Sequence, residues 1–126
     1  GYNMSSDIAL GQLGSGHLDD AGALTPPAGK VVVAITCIQD TSFTLLTQEL
    51  PTDATFKGPI NSTTGNAETN SFGTTTNIAA SNGTNSDAVT TSAVFPKGIT
   101  LYGRWKAVTL NTGTTATSQV IVYYGY

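Results

Sequence analysis

Few side chains here have the types that do acid–base, thiol or metal chemistry: one histidine, one cysteine and eight carboxylates among 126 residues. His17 stands in Gly16-His17-Leu18-Asp19-Asp20, where an imidazole and two carboxylates within three residues have the donors for a metal or a proton relay. Catalysis needs those atoms held near their reacting positions. Gly11, Gly14, Gly16 and Gly22 surround the cluster and give it no rigid frame, so Asp and Gly read here as the makers of a polar turn. Asp7, Asp40, Glu49, Asp53, Glu68 and Asp87 fall singly along the chain and form no acid–base pair. No nucleophile elbow, phosphate loop, HExxH or CxxC occurs. No catalytic residue, metal site or cofactor is expected, and the chain reads as a non-enzyme. Cys37 lies in the apolar run 31–38 with no basic neighbour to lower its pKa, so it reads as a small buried hydrophobe. As the lone cysteine it has no partner for an intramolecular disulfide.

A second cluster is suited to surface contact. Tyr102, Arg104 and Lys106 recur at a period of two, which places them on one face of a strand, with Lys97 at the turn before it. Tyr and Arg carry much of the energy in protein interfaces, so this basic face is the candidate contact surface.

Composition says what kind of partner to expect. Charged residues are 10% of the chain, against about 25% in ordinary soluble domains. Thr, Ser, Asn and Gly fill the gap. Hydroxyls and amides pack against neighbours without burying unpaired charge, which suits one copy in a larger assembly. A net charge of −3 disfavours nucleic acid as the main partner, since phosphate binding needs a basic footprint. No run reaches the roughly 18 apolar residues of a membrane helix.

The elements that must position these residues are strands. Residues 1–29 are glycine-rich with scattered aliphatics and read as an N-terminal arm; residues 30–126 read as the folded domain. Arm residues Ile8, Leu10, Leu13 and Leu18 are expected to contact the domain's own sheet edge or, preferably, a neighbouring subunit. Residues 30–38 (KVVVAITCI) are apolar on both faces and form a central strand. Residues 41–50 follow Gln39-Asp40 and read as its antiparallel partner. Residues 54–57 read as a short edge strand. Residues 61–92 are rich in Thr, Asn, Ser and Gly and read as irregular strands and loops, with Phe72, Ile78, Val89, Val94 and Phe95 as anchors. Residues 99–110 form a long strand with Ile99, Leu101, Gly103, Trp105 and Ala107 inward. Asn111-Thr112-Gly113 signals a hairpin into a closing strand at 118–124. The expected fold is all-β, an antiparallel sandwich or barrel-like domain with an irregular arm.

Three stretches carry a resemblance. Gly16-His17-Leu18, residues 24–35 (LTPPAGKVVVAI) and residues 98–106 (GITLYGRWK) ahead of a C-terminal strand resemble small virion structural proteins of marine tailed bacteriophages. Some of those are regarded as capsid decoration, or cement, proteins. The likeness covers both ends of the chain and not its Thr/Asn-rich centre. It implies a virion structural protein, and the first expectation is a capsid decoration protein at the capsid surface that binds the outside of the phage head and stabilises contacts between major capsid subunits. The partners implied are the major capsid protein and copies of the chain itself in a homo-oligomer such as a trimer. The alternative is a tail or fibre component that binds a host glycan.

Overall fold

A computed structural model describes residues 12–50, 53–56, 71–74, 86–112 and 117–126. These residues form five strands: β1 (Ser15–Leu18), β2 (Val31–Cys37), β3 (Phe43–Gln48), β4 (Thr100–Leu110) and β5 (Val120–Gly125). All pair antiparallel in a single sheet of order β1-β5-β2-β4-β3. Among the described residues there is no helix. The all-β expectation holds, but the sheet is open and not closed into a barrel.

Both expected hairpins are absent. β2 and β3 are consecutive in sequence, yet β4 lies between them; β4 and β5 are consecutive, yet β2 lies between them. The strand positions were legible because apolar alternation records burial. The pairing was not, because the polar residues after Cys37 and Leu110 mark where the chain leaves the sheet and not where it re-enters.

This interleaving forces the sheet to coil. β2 ends opposite Thr100 and β3 begins opposite Leu110. In a flat sheet those points would lie about 33 Å apart along β4, at about 3.3 Å per residue. The chain from Cys37 to Phe43 reaches only about 22 Å when extended. The hydrogen bonds show how the gap closes. Thr41 exchanges two backbone bonds with Phe95, which precedes β4, while the carbonyl of the next residue, Ser42, accepts from the N–H of Asn111, which follows β4. The flanks of β4 therefore meet on adjacent residues. Single-residue bulges supply the bending: Lys106 is the extra residue on β4 against β3, and Thr44 is the extra residue on β3.

The inside of the coil is the core. Leu18, Val32, Ile35, Cys37, Phe43, Leu46, Trp105, Val108, Leu110, Val120, Val122 and Tyr124 form one cluster, closed over by Leu24, Phe72, Phe95, Ile99 and Leu101. Trp105 is fully buried and donates its indole N–H to the Phe72 carbonyl at 2.7 Å. Its ring lies over Gly103, where an added Cβ would come within 2.6 Å of the indole. The bulge at Lys106 shifts the alternation, so Val108 and not Ala107 faces inward after Trp105.

The expected arm is partly built into this domain. β1 pairs with β5 along its length, and Leu18 is 8% exposed in the core. Leu24 exchanges two backbone bonds with Val108. Leu13 is half-buried. Ile8 and Leu10 lie outside the described residues, as does Ile78. Residues 53–56 make a turn, with the Phe56 N–H on the Asp53 carbonyl, where a short edge strand was expected. Of the other anchors in the Thr/Asn-rich region, Phe72 and Phe95 pack on the core, Val89 is half-buried, and Val94 is 61% exposed.

Candidate assembly surface

The outer face of the coil mixes exposed side chains with half-buried ones, and Ala34 on it is fully buried. Register places Ser15, Tyr123, Ala34 and Tyr102 in one row across β1, β5, β2 and β4. His17, Ile121, Thr36 and Thr100 form the next row. The hydroxyls of Thr36 and Thr100 are hydrogen-bonded at 3.0 Å, and His17 Nε2 lies 3.1 Å from Gln119 Oε1. Farther along, Leu45 and Thr47 of β3 lie opposite Thr109 and Ala107. Tyr102 is 64% exposed and Leu45 50%. These two rows contain no Asp, Glu, Lys or Arg. Strands form such a face readily because β-branched and aromatic residues fit a pleated surface.

The expected basic face divides into two parts. Tyr102 is exposed on the surface. Arg104 is committed within the molecule. Its Nε donates to Glu49 Oε1 at 2.6 Å, one terminal nitrogen donates to Glu49 Oε2 and the Thr55 carbonyl, and the other to the Tyr126 carbonyl. The Glu49 side chain is 2% exposed and also accepts a hydrogen bond from the Thr55 hydroxyl. The Arg104 backbone N–H donates to Ser71 Oγ. One guanidinium thus ties β4 to the end of β3, to residues 53–56 and to Tyr126. Lys106 pairs with Asp53 at 3.3 Å. Sequence reading placed Glu49 and Asp53 among the scattered carboxylates. Their spacing from Arg104 carries no local signal, and only the β3–β4 pairing brings them together.

The chemistry-bearing residues do not converge. Among the described residues no group of three or more His, Cys, Asp and Glu is placed to hold a metal ion. His17 lies on the outer face and pairs with Gln119, while Asp20 accepts the Gly22 N–H at 2.8 Å in a local turn. Cys37 is buried on the inner face. Burial pushes its thiol pKa up, and a hydrogen bond with Thr41 offsets part of the rise. Burial likewise pushes up the Tyr124 phenol, whose ring end lies over Gly16. Both groups stay protonated at neutral pH, which suits packing and not nucleophilic chemistry.

No family model matches this chain, and neither a curated protein nor a solved structure matches it.

Proposed function

We propose that this protein is a non-enzymatic virion structural protein, a capsid decoration protein that binds the outside of a phage head through the outer face of its sheet. The observation that supports this reading most directly is the pair of charge-free rows on that face, with Tyr102 projecting from them. Interface centres are depleted in charge and enriched in Tyr, because an unpaired charge there loses its hydration without return. The partners on this reading are the major capsid protein and further copies of the chain.

Magnitude sets the style of binding. Four strands spaced about 4.8 Å apart, with about six residues each, give a patch of roughly 300–400 Å². A stable interface buries about 800 Å² per partner. A single contact through this face is therefore weak, and stabilisation of a shell comes from many copies acting together.

Co-sedimentation of the purified protein with undecorated phage heads tests the proposal. Wild-type protein is expected to saturate the heads and raise the temperature at which they release DNA. Tyr102→Glu, which puts a charge at the centre of the face, is expected to abolish binding while circular dichroism stays unchanged. Undiminished occupancy by Tyr102→Glu would remove the outer face as the attachment surface. Absence of wild-type binding to any head preparation would remove the decoration assignment itself.

A further inference from the structure

Where the flanks of β4 meet residues 41 and 42, three connections converge, and between them lies a cleft of about 360 Å³. Small-molecule sites commonly occupy about 300–1,000 Å³. Ser42 and Ser118, 6% and 3% exposed, form its inner side together with Asn111. Asp40, Thr91 and Thr117 are exposed around it, and Val94 supplies an apolar patch.

We propose that this cleft binds a neutral polyhydroxylated ligand, one or two sugar rings in size. Charge decides the class. An anionic ligand would meet the Asp40 carboxylate with no cationic side chain in the lining to offset it. A metal cation would find a single carboxylate, too few oxygens of the hard kind that such ions require. A wholly apolar ligand would strip water from hydroxyls and an amide without replacing it. A ligand carrying its own hydroxyls satisfies all of these groups, and the apolar face of a sugar ring matches Val94.

The polar groups are also held before any ligand arrives. The Lys97 N–H donates to Asp40 Oδ1 at 2.8 Å and fixes that carboxylate. Asn111 donates its amide N–H to Ser42 Oγ at 3.1 Å, and Ser118 donates its hydroxyl to the Asn111 carbonyl at 2.9 Å. The Ser42 N–H in turn donates to Ser118 Oγ. Such preorganisation lowers the ordering cost of binding. The hydroxyls of Thr91 and Thr117 engage no other described residue. The cleft shares no residue with the outer-face rows, so this inference stands or falls apart from attachment to a shell.

The test is an amide NMR titration of the full chain. The probes are glucose, galactose, mannose, N-acetylglucosamine and lactose, with glucuronic acid and sialic acid as anionic controls. At least one neutral sugar is expected to shift the amides of residues 40–42, 91–94, 111 and 117–118 with millimolar affinity, and the anionic sugars to bind more weakly. Asp40→Asn keeps an oxygen for the Lys97 N–H and removes the charge, so it is expected to let glucuronic acid bind as well as its neutral counterpart. Thr117→Val, on the rim and outside the hydrogen-bonded set Ser42, Asn111 and Ser118, is expected to weaken binding severalfold without changing the spectrum elsewhere. The proposal is overturned if no neutral sugar shifts these amides, if the shifts map elsewhere, or if the anionic sugars bind the wild-type protein equally well.

Discussion

On the inner face of the sheet, Trp105, Ile35 and Val122 are fully buried, and the one polar group on the large ring has a fixed acceptor in the Phe72 carbonyl. On the outer face of the same strands, Tyr102 is 64% exposed, and its row continues across the sheet through Ala34, Tyr123 and Ser15. The inner face fills a closed volume, so each side chain there is set by shape. Among the described residues the outer face carries no comparable apolar cluster, and its two central rows share the lack of charge. One face specifies the fold, and the other is where an external partner would attach on the proposed reading.

That contrast orders the effects of substitution. Trp105→Ala should be the most damaging, at about 3–5 kcal/mol, because it empties the largest core site and orphans the Phe72 carbonyl; urea unfolding followed by circular dichroism measures it. Arg104→Met comes next, at about 3 kcal/mol, since it strands the buried Glu49 carboxylate without its partner. Pairing it with Glu49→Gln should recover part of the loss, and a double-mutant cycle that shows no coupling would break the argument. Gly103→Ala should cost about 1–3 kcal/mol, because the new methyl must displace the Trp105 ring; a shift in Trp fluorescence should accompany the change in midpoint.

Smaller effects sharpen the comparison further. The Cys37 thiol has a raised pKa in the folded chain, so the unfolded thiol loses its proton first as pH rises. The contribution is present in full below the ordinary thiol pKa of about 8.5 and is lost as pH climbs through and above it. Melting temperature should therefore fall between neutral and strongly alkaline pH, and Cys37→Ala should flatten part of that fall. Smallest of all, Tyr102→Ser and Leu45→Thr should each change stability by no more than about 0.5 kcal/mol. A large loss from either would show that the outer face also belongs to the core.

The sequence exposed strands and burial better than it exposed partners. Residues 30–38 and 99–110 announced β2 and β4 through their apolar content, and Trp105 and Cys37 are buried as their surroundings implied. The inward set on β4 was legible as far as Trp105. Past it, the bulge at Lys106 reversed the alternation, and the apolar pair Val108 and Leu110 was the available sign. Membership of Leu18 in the core was hidden, because a single leucine among glycines looks the same whether it caps a sheet or hangs free. The link from Arg104 to Glu49 was hidden because pairing between β3 and β4, separated by the whole Thr/Asn-rich region, is a property of the assembled sheet.

The interleaved strand order also bears on when this chain can become a protein. The consecutive strands that do pair, β3 and β4, are separated by residues 49–99, so among the described strands no tight hairpin is available as a local nucleus. β5, the last strand, lies between β1 and β2, and His17 meets Gln119 across 102 residues of sequence. Sheets dominated by such distant pairings fold in milliseconds to seconds, because loop closure precedes any reward from contact. During synthesis β1 and β2 emerge before the strand that lies between them, and the sheet is complete only once β5 is available. Deletion of residues 120–126 should therefore unfold the sheet, because β5 joins β1 to β2.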